Sequence, residues 1–158
     1  MRINEWEVGT SSEAEIGGSA GHSLWPLAEA GAVSQLSRVL LVEDDDGCRE
    51  ALAMALEDCG VQVTAAASVD EALECFDSRP GCIVVSDIEM PNRDGFDLIR
   101  EVRARDARCS RRTPAIAVTG LTATDDIGAV RAAGFDEHLA KPLDFDRLIA
   151  RIFTLLGR

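Results

Sequence analysis

The sequence predicts an α/β fold, a doubly wound five-stranded parallel sheet with helices on both faces. Three observations carry that expectation. Short apolar runs alternate with helix-periodic segments five times between Arg38 and Leu156. The runs Val39-Leu40-Leu41-Val42, Cys82-Ile83-Val84-Val85 and Ala115-Ile116-Ala117-Val118 are continuously apolar, as strands buried on both faces are. The connections between them are short, which suits right-handed βα units. Five such units fit the flavodoxin-like order 2-1-3-4-5, in which strand 2 is an edge.

Each element has its own local reason. The first strand ends in Glu43-Asp44-Asp45-Asp46, and residues 47–59 come next as a helix with Leu52, Ala55, Leu56 and Cys59 on one stripe. Gly60 suits the cap that closes it. Val61, Val63 and Ala65 alternate with Gln62 and Thr64, the pattern of a half-exposed edge strand. Ser68 with Glu71 three residues later forms a capping box for a second helix that buries Val69, Ala72, Leu73 and Phe76 and ends before Pro80. The third strand runs into Ser86-Asp87-Ile88-Glu89-Met90-Pro91. A third helix from about Gly95 carries Phe96, Ile99 and Val102. The fourth strand ends in Thr119-Gly120, and a fourth helix over 122–133 turns Ile127 and Val130 inward and closes at Gly134. A short fifth strand near 136–140 leads to Lys141-Pro142. The last helix, about 144–156, has the cleanest stripe: Phe145, Leu148, Ile149, Ile152 and Leu156.

Composition narrows the classes of function. A chain of 158 residues at 46% hydrophobic and 28% charged is an ordinary globular chain with room for one sizeable core. No apolar run approaches the roughly 20 residues of a membrane span, and the start lacks the basic and apolar regions of a signal peptide. The net charge of −12 speaks against general binding to nucleic acid or anionic membrane. Five cysteines form no Cys-x-x-Cys pair, and most sit at apolar positions, so buried reduced thiols in a cytoplasmic protein are expected. Residues 1–37, centred on Gly17-Gly18-Ser19-Ala20-Gly21, read as a flexible or disordered extension. Leu24-Trp25-Pro26-Leu27 within it is a small apolar cluster, either a docking element or an incidental patch. The folded domain is then 38–158.

The chemistry lies at the carboxyl ends of the strands, where open α/β sheets place their ligands. Asp87 alone is a nucleophile, a metal ligand or a loop acid. In the order 2-1-3-4-5, strands 1, 3, 4 and 5 lead into Glu43 with Asp44, then Asp87, Thr119 and Lys141. Lys141 is the only lysine in the chain, against 15 arginines. Two carboxylates about 4 Å apart repel by roughly 4 kcal/mol at an effective dielectric of 20, so three acids together call for a cation. All-oxygen ligands with room for water suit Mg²⁺. A metal, a carboxylate nucleophile, a lysine and a hydroxyl are the parts of a phosphoryl-transfer site.

From about Arg38 to Leu156 these motifs resemble the receiver (phospho-acceptor) domain of two-component response regulators. Glu43-Asp44-Asp45 resembles the acidic pair after the first strand, and Ser86 to Pro91 with Asp94-Gly95 the acceptor strand and loop. Thr119 and Lys141-Pro142 match the switch hydroxyl and the Lys-Pro. The resemblance implies that Asp87 takes a phosphoryl group from a phospho-His of a histidine kinase or His-phosphotransfer protein. It implies Mg²⁺ held by Asp44, Asp87, Glu43 through water, and the backbone carbonyl of Glu89. Lys141 holds the phosphoryl group, Thr119 swings onto it, and the Lys141–Pro142 bond is cis. Output then passes to a downstream protein through the helix 4–strand 5–helix 5 face, from a monomer or weak dimer. No output domain is expected after the fifth helix. A phosphorylation-independent binding module of receiver fold, or a receiver segment of a hybrid kinase, is the alternative. An Asp-nucleophile phosphohydrolase needs an Asp two residues past the nucleophile and a Thr beyond, where this chain has Glu89 and Pro91.

Some positions depart from the family pattern. His138 stands where the family carries Tyr or Phe as the rotating switch residue, and is either a half-exposed edge histidine or a switch that adds pH sensitivity. Glu89 lies near the path of an attacking water, to tune dephosphorylation or simply to be solvated. Gly120 leaves the crevice open above Thr119. Arg100, Arg103, Arg105, Arg108, Arg111 and Arg112 form a basic run through the end of helix 3 and the following loop, either a solvated structural helix end or a docking site for an acidic partner.

Overall fold

The computed structural model describes residues 38–120 and 124–156. The expected flexible extension over 1–37 and the start of the fourth helix at 122–123 lie outside the described residues. Five strands and five helices alternate: β1 (Arg38–Val42), α1 (Asp46–Asp58), β2 (Gln62–Ala66), α2 (Val69–Ser78), β3 (Ile83–Asp87), α3 (Gly95–Arg108), β4 (Ala115–Thr119), α4 (Thr124–Ala133), β5 (Glu137–Ala140) and α5 (Phe145–Leu155). All strand pairs are parallel, in the order β2-β1-β3-β4-β5. The predicted class and strand order are those found. Among the described residues no helix is long and apolar enough to cross a membrane.

Two cores share this sheet because strand side chains alternate between its faces. Leu40, Val42, Val84, Ala115 and Ala117 face one core with residues of α2, α3 and α4, including Phe76, Leu98, Ile99, Val102 and Val130. Val39, Leu41, Ile83, Val85, Ile116 and Val118 face the other, under Leu56 of α1 and Leu148, Ile149 and Ile152 of α5. Every residue of β3 and β4 is buried, whereas β2 and β5 are only partly covered, as edge strands should be.

Polar side chains set the helix starts. Asp45 accepts the Cys48 N–H at 2.8 Å, Ser68 accepts the Glu71 N–H at 3.3 Å, and Asp144 accepts the Arg147 N–H at 3.0 Å. Glu71 reaches back one residue further than the expected box, accepting from the Ala67 N–H at 2.8 Å. A complete capping box, Asp94 with Asp97, opens α3.

Three expectations need correcting. Of the five free cysteines only Cys82 is buried; Cys48, Cys59 and Cys109 are exposed, because they sit at helix ends rather than mid-stripe. On β2, Ala66 is buried and Ala65 exposed, since cover on the Val63 face does not extend to the strand's end. The basic run is only partly a solvated helix end: Arg100, Arg108 and Arg112 are exposed, while Arg103, Arg105 and Arg111 are half-buried. Arg103 donates to Asp106 at 2.7 Å, to Asp136 at 3.1 Å and to the carbonyls of Thr113 and Gly134 at 2.6 and 2.7 Å. Arg111 joins Asp106 at 3.2 Å, Arg112 joins Asp136 at 2.7 Å, and Arg105 pairs with Asp77 and Glu101 at 2.9 and 2.6 Å. Arg100, by contrast, is largely exposed.

Candidate functional site: an acidic crevice at the carboxyl edge

The strand order brings the ends of β1, β3, β4 and β5 side by side, and with them the predicted residues. Glu43 leaves β1 with its N–H bonded to the Ala66 carbonyl of β2 at 3.1 Å. That contact turns the acidic loop while Val42 is still paired with Ser86 of β3. Glu43 and Asp87 are each only 4% exposed, and Asp44 is half-buried. Each of the three offers a carboxylate oxygen, and these atoms lie within 4.8 Å of one another. Such a cluster of hard oxygen donors fits a small divalent cation.

Lys141 is brought in by the backbone of the next strand pair: its N–H donates to the Thr119 carbonyl at 2.8 Å. Its Nζ then lies 2.7 Å from Asp87 Oδ2 and 3.4 Å from Glu43 Oε2. The Lys141–Pro142 bond is cis, as the resemblance implied. Burial works to lower the Lys141 ammonium, but the hydrogen bond and charge of Asp87, with Glu43 behind them, hold it above the ordinary 10.5. Burial first, then the neighbouring charge of Asp87, pushes the Glu43 carboxyl above 4.5, and Lys141 offsets only part of this.

The other oxygen of Asp87 is held from its own loop: Oδ1 accepts the Glu89 N–H at 3.0 Å. The loop can turn this tightly because residue 95 is glycine. A Cβ there would stand 2.5 Å from the Asp87 carbonyl oxygen and 2.9 Å from Ile88 Cα, and the Gly95 N–H donates to the Ile88 carbonyl at 3.0 Å. Thr119 ends β4 with 1% exposure. His138 is half-buried on β5, in register with Ala117 of β4. Its Nδ1 is buried with no hydrogen-bond partner among the described residues.

Two contributors escape a reading of motifs. Arg49, in the first turn of α1, donates to the Glu43 carbonyl at 2.8 Å and the Asp44 carbonyl at 3.4 Å, and pairs with Asp46, so it braces the acidic loop from behind. Nothing in the local sequence marks it. The Glu89 carboxylate accepts the Gly120 N–H at 3.2 Å, a bridge between two loops that no spacing rule predicts.

Comparison with known proteins shows the family to which this fold belongs. Residues 39–153 match the model of the response regulator receiver domain. The chain is 39% identical over 106 residues to an uncharacterized 14.6 kDa protein of Leptolyngbya boryana, a match covering 67% of this chain and 79% of that protein. It is 34% identical to the transcriptional regulatory protein CseB of Streptomyces avermitilis, over 80% of this chain and 52% of that one. The chain therefore spans about half the length of such regulators. The receiver domain of the Francisella response regulator 1452 superposes with a TM-score of 0.70 at 29% identity, covering 77% of this chain and 97% of that one. A doubly wound sheet with a carboxylate cluster and a lysine at its switch point defines the class. The chain belongs to the response regulator receiver domain family.

Proposed function

We propose that this chain is the phospho-accepting switch of a two-component or phosphorelay pathway, working in the cytoplasm, with Asp87 as acceptor. The observation that supports it most is the Asp87 carboxylate, buried, hydrogen-bonded at both oxygens and 2.7 Å from the only lysine. An Asp87 oxygen attacks the phosphorus of a phospho-His on a histidine kinase or His-phosphotransfer protein. The O–P bond forms, the P–N bond breaks, and its electron pair stays on the imidazole nitrogen, which takes a proton from solvent. Lys141 holds a phosphoryl oxygen as it holds the Asp87 carboxylate now, and the Thr119 hydroxyl donates to another. Glu43, Asp44, Asp87 and the Glu89 carbonyl are the residues to hold Mg²⁺. When bound, Mg²⁺ neutralises charge on the carboxylates and the phosphoryl oxygens.

The added charge biases a two-state equilibrium, read by a downstream protein at the α4–β5–α5 face. Moving that equilibrium from 1:99 to 99:1 takes about 5.5 kcal/mol of preference for the active form. His138, half-buried with an Nδ1 that has no hydrogen-bond partner among the described residues, is the switch partner of Thr119 on this reading.

The test is incubation with Mg²⁺ and a small phosphodonor, or phospho-His from a kinase. Wild type gains one phosphoryl group by intact mass, and Asp87→Ala gains none. A wild type that stays unmodified by every donor overturns the proposal. For the switch, His138→Tyr is expected to alter partner affinity and its pH profile; an unchanged profile removes His138 from the mechanism.

A further inference from the structure

Glu89 meets both sides of the crevice. Its backbone N–H holds Asp87 Oδ1 at 3.0 Å, while its side chain crosses to the loop after β4 and accepts the Gly120 N–H at 3.2 Å. Gly120 is the residue directly after Thr119. A Cβ on Gly120 would stand 2.8 Å from Glu89 Oε2, so the carboxylate end lies against the glycine, at an exposed position, and would have to shift for any side chain there. Among the described residues no basic side chain pairs with Glu89, whereas Asp87 and Glu43 share Lys141.

We propose that the Glu89 carboxylate is a latch, a positioning residue that holds the start of the β4–α4 loop through Gly120 while Asp87 is unmodified and lets go when the phosphoryl group arrives. The inference rests on the reading of Asp87 as phospho-acceptor. Phosphorylation takes the acceptor from one negative charge to about two and places oxygens at the mouth of the crevice. Among the described residues neither Glu89 nor Asp44 pairs with a cation, but the Asp44 carboxylate is assigned to Mg²⁺, which leaves the Glu89 carboxylate as the group repelled. Its departure frees the loop next to Thr119 and leaves the Gly120 amide available to another acceptor. The latch therefore opposes activation, and breaking it favours the modified form.

Beryllofluoride with Mg²⁺, titrated into the full chain and followed by fluorine NMR, separates a latch from simple charge repulsion. Glu89→Ala removes the carboxylate. Gly120→Ala keeps the charge but puts a Cβ where Glu89 Oε2 now lies, so the carboxylate end must shift from its place on the Gly120 N–H. Both single variants are expected to bind beryllofluoride about three- to tenfold more tightly than wild type, the range one net hydrogen bond supplies, and the double variant no more tightly than the better single. A Gly120→Ala affinity within about twofold of wild type overturns the latch, since repulsion alone predicts an effect only for Glu89→Ala. Hydrogen exchange of unmodified protein gives an independent readout: the Gly120 amide is expected to exchange several-fold faster in Glu89→Ala, and an unchanged rate likewise overturns the proposal. If wild type and Asp87→Ala respond to beryllofluoride alike, the acceptor assignment fails instead, and the exchange experiment still judges the contact.

Discussion

At the scale of single residues, the placement of Asp87 is a matter of backbone as much as of charge. Lys141 and the Glu89 N–H hold its two carboxylate oxygens, and the Ser86 hydroxyl donates to its carbonyl at 2.7 Å. Gly95 closes in from the far side of the loop. Because its would-be Cβ meets the Asp87 carbonyl and the Ile88 backbone, no flexible side chain can give way. Gly95→Ala is therefore expected to destabilise the fold by about 1–3 kcal/mol, as overpacking does, and to swing Asp87 away from Lys141. A displacement near 1 Å at a reacting group costs on the order of a hundredfold in rate. Urea denaturation and phosphorylation by a small donor, measured on the same variant, check the two halves. Glu43, Asp44, Asp87 and Thr119 were legible because each ends or follows a strand that is a continuous apolar run, and Lys141 because it follows the fifth strand, so strand order placed these residues at one edge. Asp94 with Asp97 was not legible, because an Asp at the third helical position departs from the Glu or Gln of the usual capping box. Nor was Arg49, because its partners are backbone carbonyls, which carry no sequence signal.

At the scale of elements, the end of α3 is joined to the β4 and β5 starts by a knot of ions rather than by apolar packing. Asp106, 3% exposed, accepts from the Thr113 N–H at 2.8 Å and hydroxyl at 2.7 Å as well as from Arg103 and Arg111. Asp136 accepts from the Ala115 N–H at 2.9 Å and from Arg103 and Arg112. Burial works to raise the Asp106 carboxyl, but the Thr113 and arginine hydrogen bonds win and hold it below 3.8. A carboxyl held low in the folded state adds stability that is complete above its unfolded value and disappears as pH falls through the folded one. Asp106→Asn is thus expected to lose about 3 kcal/mol at pH 7, the scale of breaking a buried ion pair, with the gap to wild type closing below pH 3.8. Chemical denaturation at neutral and acidic pH measures it. This knot was illegible in the sequence for a physical reason. Periodicity reports which face a helix buries, while Arg103 finds Asp136 across 33 positions of chain. The same limit explains the cysteines: an apolar stripe places Cys59 inward by angle, but at the last turn of α1 there is no sheet left to cover it.

At the scale of the whole molecule, two cores stabilise a sheet whose carboxyl edge gathers like charges, so the site is held against its own repulsion. Lys141 compensates Asp87 and part of Glu43, and no ion pair to Asp44 is found among the described residues. The chain's net charge of −12 adds to the same imbalance. A divalent cation would then act as a folding ligand as well as a reagent. Binding only the folded state, Mg²⁺ at a hundredfold excess over its Kd adds about 2.7 kcal/mol, on the order of 10 °C in Tm for a domain of this size. Asp44→Asn separates the two sides of that balance, because it relieves repulsion and removes a donor together. Without metal it is expected to be more stable than wild type by about 1 kcal/mol, the usual sign when a functional charge is removed. With Mg²⁺ the ranking reverses, since wild type gains and the variant does not. Thermal melts of both proteins in Mg²⁺ and in EDTA decide the matter. A variant that melts below wild type in EDTA would mean that Asp44 stabilises the fold and that the acidic cluster carries no charge strain for Mg²⁺ to relieve.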